Sequence, residues 1–270
     1  MLNNITMGQY YPVESPIHRL DPRTKLLLTI VYIVIVFLAK TFVGYALLLA
    51  FVYMASRLAH VPFRMLLRGL KPLRMIVILT FLLNLFFTGG DTLLFSFWII
   101  RVTREGLSQA VFYSLRLVFL VLGTSLLTLT TSPVALSDAI EILLGPLKKI
   151  HFPAHELAMM MTIALRFIPT LLEETDKIKK AQMARGADFE SGNPMARAMV
   201  PLLVPLFVSA FRRAGDLAMA MESRCYHGGE GRTRLRVLRF GRGDAAAAGI
   251  VALLLVLILL EGAFLGGLAL

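Results

Sequence analysis

The sequence predicts an all-α integral membrane protein. It has about five transmembrane helices and, ahead of the last one, a long basic stretch of amphipathic helices. Three observations lead there. Hydrophobic residues make up 57% of the 270 positions and charged residues only 17%, an excess that suits lipid-facing helices better than a soluble core. Apolar runs of helical length recur, separated by clusters of Lys and Arg. Two long segments carry small or apolar residues at alternating three- and four-residue spacing, the mark of a helical seam.

The opening residues 1–25 are polar and proline-bearing, with no apolar core or cleavage site, so no signal peptide is read there. Leu26 to Ala39 is the first span, ending at Lys40, and Phe42 to Ala55 the second, ending at Arg57. Each falls short of the roughly 20 residues a bilayer needs. Their flanks extend them, and Lys and Arg can snorkel to the interface. They read as a helical hairpin. Arg57 to Arg74 is a basic connector carrying Arg57, Arg64, Arg68, Lys71 and Arg74. Met75 to Thr88 is the third span, broken by Gly89-Gly90-Asp91, and Leu93 to Arg104 follows as an outer loop or short re-entrant piece. Gly106 to Thr130 is the fourth span. The fifth is Ala245 to Leu260, with an extension to Leu265 left open.

Lysine and arginine bias gives the orientation. Arg19, Arg23 and Lys25 precede span one, the first turn has only Lys40, and the connector after span two has five basic residues. This predicts a multi-pass protein with the N-terminus and 131–243 in the cytoplasm and the C-terminus outside. Three regions result: 1–131 with spans one to four, 132–243 as a cytoplasmic helical region, and 244–270 with the last span. The net charge of +11 suits a membrane surface or an acidic partner, and nucleic acid is not expected. One cysteine excludes an internal disulfide.

Within 132–243, Ser132-Pro133 starts a helix with Ser as N-cap and Pro at the first turn, running to about Leu144. A second helix runs from near Pro153 to Arg185, with a seam at Leu157, Met161, Ala164, Ile168, Leu171, Thr175, Ile178 and Gln182. Pro169 is expected to kink it. A third runs from near Pro194 to Arg224, with a seam at Val200, Leu203, Phe207, Ala210, Ala214, Leu217 and Met221. Pro201 and Pro205 bend its first half.

Each long helix finishes on an arginine between two smaller residues: Ala184-Arg185-Gly186 and Ser223-Arg224-Cys225. A cation at a helix C-terminus is favourable in itself, because the last carbonyls are unsatisfied and carry partial negative charge. That accounts for one such tip. A matched pair argues for docking, since a narrow tip can present a guanidinium fork to carboxylates or carbonyls in a partner's groove. Gly186 can take the left-handed conformation that ends a helix. Cys225 takes positive φ less readily, so the second helix is expected to end differently.

Eight of the thirteen methionines fall in 150–226, including Met159-Met160-Met161. Helical Met is ordinary core filling, and it also suits surfaces that repack against partners. "HRLDPRTKLLL" at 18–28 reads as a turn with basic anchors, or as a contact for the cytoplasmic helices. Arg116 fits either an intramembrane functional charge or the outer interface, and Asn84 an interhelical hydrogen bond. Spans one to four hold no carboxylate, which argues against a proton-coupled carrier. No P-loop is present. His151 and His155 have Pro153 between them, which spoils a helical metal site, and no catalytic Ser/His/Asp set stands out. Neither catalytic residues, a metal site nor a cofactor is expected in this chain.

Five segments in order, "LDPRTKL" at 20–26, "LTTSP" at 129–133, "RFIP" at 166–169, "ARG" at 184–186 and "AMESRCYHGGEGRTRLR" at 220–236, resemble the transmembrane T component of energy-coupling factor (ECF) transporters, the EcfT/CbiQ family of bacterial and archaeal cell membranes. The resemblance covers nearly the whole chain. It implies a non-ATPase subunit of an ABC-type importer for a vitamin or metal ion. Two coupling helices would dock through Arg185 and Arg224 on two ABC-type ATPases, a homo- or heterodimer that binds the ATP. A separate membrane S component would bind the substrate, with Met159, Met160 and Met161 as its expected contact. The family usually has Ala-Arg-Gly where this chain has Ser223-Arg224-Cys225. The alternative is a substrate-binding permease of an ordinary ABC transporter, and an integral membrane enzyme stands behind both.

Overall fold

The computed structural model describes residues 10–89, 93–97, 100–146, 153–186, 195–228, 238 and 240–265. Its elements are α1 (Pro22–Leu38), α2 (Phe42–Leu58), α3 (Phe63–Arg68), α4 (Arg74–Phe87), β1 (Leu93–Phe97), β2 (Ile100–Thr103), α5 (Arg104–Thr130), α6 (Pro133–Leu143), α7 (Ala154–Ala184), α8 (Met195–Glu222) and α9 (Arg242–Leu265). They fall into two compact units: Met1–Ala139 with Val237–Leu270, and Ile140–Arg236.

In the first unit local chemistry sets the helix starts. The Asp21 carboxylate accepts the Arg23 N–H at 2.9 Å, and Pro22 occupies the first turn of α1. Thr41 caps α2 and Thr103 caps α5. Three long-range bonds then fix directions. Lys25 Nζ donates to the Thr130 carbonyl, so α1 begins where α5 ends. The Gly44 N–H donates to Glu261, so α2 begins beside the end of α9. Thr103 Oγ1 donates to the Thr88 carbonyl, so α5 begins where α4 ends. Helices α1, α2, α4, α5 and α9 therefore alternate in direction.

Ile35, Leu48, Leu129 and Ile258 are wholly enclosed at the centre of this bundle. Tyr32 of α1 lies across α5 and donates its hydroxyl to the Phe119 carbonyl at 3.0 Å. Gly123 makes room for that ring. The outer faces are apolar: Phe87 is 84% exposed, Met75 81% and Phe264 77%. Apolar residues on the outside of a packed bundle suit lipid as solvent. By length and apolarity α5, α7 and α9 can cross a bilayer, whereas α2 and α4 are apolar but shorter. Of the three, α7 is the least apolar, with Glu173, Glu174, Asp176, Lys177, Lys179 and Lys180 in its second half.

The structure departs from the sequence reading at two places in this unit. The stretch read as a loop or re-entrant piece forms an antiparallel hairpin, with Phe95 opposite Val102 and Phe97 opposite Ile100. Its alternating aromatic and β-branched residues favour extended backbone. Spans one to four hold no carboxylate, yet α9 carries one near its C-terminal end. Glu261 is buried and its Oε1 lies 2.9 Å from the Gly44 nitrogen, facing the positive end of the α2 dipole.

In the second unit the carboxylate of Glu141 meets His155 Nδ1 at 2.9 Å, tying α6 to α7. Ser132 caps α6 through the Ala135 N–H, and α6 starts in the first unit and ends in the second. Pro169, Pro201 and Pro205 all lie inside unbroken helices.

Candidate functional site

The candidate site is built from α7 and α8. Gln182 Nε2 donates to the Pro201 carbonyl, Arg213 pairs with Glu174 at 3.0 Å, and Ile163, Phe167 and Leu171 line one crease with Ala210, Ala214, Leu217 and Met221. Residue numbers on the two helices rise in opposite senses along this contact, so the helices run antiparallel. The α8 half of the predicted seam holds at Ala210, Ala214, Leu217 and Met221. The α7 half holds only toward its end, where Leu171 lines the crease and Gln182 reaches Pro201; upstream Leu157, Met161 and Ile168 are exposed, and Ile163 and Phe167 make the contact instead. A 3–4 repeat names a stripe, and the first half of α7 carries enough apolar side chains for two stripes; packing there chose the neighbouring one.

The arginine tips are the second level. Helix α7 ends at Ala184, and Arg185 is its C-cap. The Gly186 N–H reaches back to the Met183 carbonyl at 3.0 Å, with φ at +87°. Helix α8 ends at Glu222. The Cys225 N–H bonds the Glu222 carbonyl at 2.9 Å, and the Tyr226 N–H bonds the Met221 carbonyl at 3.1 Å. Cys225 has φ at +55°. Those two bonds with a left-handed residue form a Schellman stop. The expectation that the second helix ends differently is therefore corrected. Cys225 adopts the same left-handed turn as Gly186, because the paired backbone bonds satisfy orphan carbonyls that would otherwise stay open. The left-handed conformation costs a non-glycine residue on the order of 1 kcal/mol.

Both arginines thus occupy the same place, one residue before a left-handed stop, and both are exposed. Among the described residues neither has an ion-pair partner. The antiparallel pairing sends them to opposite ends. Met221, next to the second tip, shares the crease with Ile163, some 22 residues up α7 from Arg185. At 1.5 Å per residue the tips stand on the order of 35 Å apart. Ser223 turns its hydroxyl back to the Ala220 carbonyl at 3.0 Å, which keeps that tip narrow. Met160 and Met161 are exposed and Met159 is half-buried, one turn before Ile163 and so toward the Arg224 end.

Residues 13–235 match the cobalt transport protein family, CbiQ. The chain belongs to that family. It is a transmembrane T component of energy-coupling factor transporters, as its relatives' names state. It is 58% identical over 248 residues to the energy-coupling factor transporter transmembrane protein EcfT of Thermosediminibacter oceani, covering 91% of this chain and 93% of the relative. The protein of the same name in Acidaminococcus fermentans is 58% identical over 260 residues, 96% of this chain and 97% of the relative. That of Bacillus subtilis is 52% identical over 262 residues, 96% and 98%. The T component is thus a membrane transport subunit.

Other candidates sort themselves on this frame. Arg116 lies midway along α5, half-buried, with its guanidinium 5.4 Å from the ring centres of both Phe37 and Tyr113. Both rings are within cation–π range, which steadies a cation away from water. Asn84 donates to the Thr80 carbonyl one turn back in its own helix rather than to a neighbouring span. His155 meets Glu141, while His151 lies outside the described residues. No group of His, Cys, Asp and Glu among the described residues could hold a metal ion. Sequence reasoning missed Glu261, although a lone carboxylate in the last apolar run was visible.

Proposed function

We propose that this T component couples two cytoplasmic ABC-type ATPases to a separate membrane S component that binds a vitamin or metal ion for uptake. The observation that carries the reading is the pair of equivalent, exposed arginine tips at opposite ends of one antiparallel helix pair. Two like anchors that far apart suit two like partner sites, and not one. ATP bound by the partners would close them against each other, and the tips would follow. A helix pair joined by an ion pair, a side-chain hydrogen bond and an apolar crease passes such a displacement on rather than absorbing it. In this reading the N-terminus and 131–243 are cytoplasmic and the C-terminus is outside, as the basic bias favours.

A cavity of about 140 Å³ in the membrane unit has mostly apolar walls, including Leu28, Phe51, Val52, Leu126 and Val251. Such a wall suits a subunit that leaves polar cargo to a partner, and so supports this reading over an ABC permease.

The test is co-purification from cells expressing all components. Arg185→Glu with Arg224→Glu should remove the ATPases from the complex, and either change alone should leave part of the assembly. Full assembly with undiminished uptake in the double variant would refute docking through these residues. Replacing Met159 to Met161 with alanine should lower S-component recovery and leave ATPase binding near wild type. Loss of ATPase instead would assign the triplet to the docking surface near Arg224.

A further inference from the structure

The chain passes from the membrane unit to the 140–236 unit within α6 and returns ahead of α9, so two connecting strands join the units, one leading from the end of α5 into α6 and one leading into α9. Both are tied to one turn, residues 18–25. Lys25 Nζ donates to the Thr130 carbonyl at 2.9 Å and to the His18 carbonyl at 3.2 Å. Arg23 donates to the Leu238 carbonyl at 2.7 Å and lies over the Phe240 ring. Asp21 holds Arg23 in that position through both carboxylate oxygens, at 3.2 and 3.1 Å. The Asp21 N–H in turn donates to Asp244, whose other oxygen accepts the Gly241 N–H at the start of α9.

A helix cap needs only the Asp21 contact to the Arg23 N–H. Interface anchors need only exposed cations that snorkel. Neither requires Asp21, Lys25 and Asp244 to be buried, as all three are. Buried charges are costly unless fully engaged, and these are engaged on the two connecting strands.

We propose that Asp21, Arg23 and Lys25 clamp both connecting strands to the start of α1. Movement of the 140–236 unit then reaches α1, α5 and α9 together, instead of being lost in bending at 130–132 and 238–244. These are positioning residues, and the proposal rests on the coupling role proposed above.

The test uses the full complex in proteoliposomes, with Lys25→Met, Arg23→Met and the conservative Arg23→Lys. The Met variants should assemble and hydrolyse ATP within about twofold of wild type, while substrate taken up per ATP falls at least fivefold; Arg23→Lys should lie between. An unchanged uptake-to-ATP ratio in assembled Met variants overturns the proposal. Hydrogen exchange on the T component alone supplies an arm that needs no partner. The amides of Thr131, Ser132, Val134 and Ala135 and those at 244–247 should exchange at least tenfold faster in Arg23→Met and Lys25→Met, while Ile35 and Leu48 keep wild-type protection. Unchanged exchange at both strands also overturns it. Should Lys25→Met lose protection at Ile35 and Leu48, it has unfolded, and Arg23→Met, with its less buried side chain, decides. Failure of wild-type protein to bring down ATPases would sink the coupling role, with the exchange arm still deciding the clamp.

Discussion

Gly123→Ala should destabilise the membrane unit by about 1–2 kcal/mol. A Cβ on Gly123 would overlap the Tyr32 ring, with Cδ1 2.5 Å away and Cε1 closer still. Ordinary carbon contacts need ~3.5–4.0 Å, so the ring must retreat by roughly 1.5 Å. The neighbouring 140 Å³ cavity, which both residues line, gives it somewhere to go. The retreat breaks the hydrogen bond to the Phe119 carbonyl and the stacking on Phe51, whose centroid is 5.7 Å away. Stranding the buried hydroxyl costs about 1–3 kcal/mol, and the stacking adds about 0.5. Helix propensity returns about 1 kcal/mol on replacing Gly by Ala. The net loss corresponds to a fall on the order of 5 °C in melting temperature for a unit of this size. Thermal unfolding in detergent, followed by size-exclusion recovery, reads it. The same substitution in a Tyr32→Leu background should be neutral or stabilising, because the obstructing ring is gone. If Gly123→Ala melts at or above wild type in the Tyr32 protein, the close approach of α1 and α5 is wrong.

Three further outcomes follow from the same kind of reasoning. Cys225→Gly should preserve assembly with the ATPases and relieve about 1 kcal/mol of left-handed strain, less the entropy glycine adds to the unfolded chain; Cys225→Val should lower both, and equal assembly for Gly and Val would deny that the stop shapes the tip. Glu261→Gln should melt near wild type, since an amide oxygen still accepts from Gly44, while Glu261→Leu should lose about 1–2 kcal/mol, softened by the Thr41 hydroxyl 3.4 Å from the same N–H; identical melting of the two would show the contact is idle. Burial holds the His18 imidazole below its usual pKa of 6.5, with the Lys25 and His60 charges adding to it and the Tyr11 and Leu129 carbonyls opposing. Its Nε2–H donates to the Tyr11 carbonyl and the Ser15 hydroxyl donates to Nδ1, an arrangement for the neutral ring. The free segment therefore takes up a proton first, and the stability this contributes is present above pH 6.5 and lost as pH falls below it. The Tyr11 amide, bonded to the Leu129 carbonyl, should exchange faster at pH 5 than at pH 7 after intrinsic correction, and His18→Gln should flatten that difference; a flat wild-type profile would contradict it.

The helices were legible because their causes are local. Asp21-Pro22, Ser132-Pro133 and the apolar runs act within a few residues of where they stand, and observed boundaries fall close to those read from them. The arginine tips were legible for the same reason, as a cation before a helix stop. The hairpin at 93–103 was missed because a short aromatic and β-branched run between two helices supports several readings. The α7 contact face was legible at Leu171 and Gln182 and missed upstream of them, because two apolar stripes compete on that half of the helix.

By itself the sequence determined a helical membrane protein, its breaks and its two arginine ends, since composition, periodicity and caps are properties of neighbours along the chain. Tertiary structure alone decided that α7 and α8 pair antiparallel, so that the tips lie far apart. It alone set Glu261 on the start of α2, fitted Gly123 against Tyr32 and joined residues 21–25 to both connecting strands. Each of these is a meeting of residues between 19 and 223 positions apart. No local rule carries them, because the free energy that selects such meetings comes from packing and from satisfying buried polar groups once the helices are already formed.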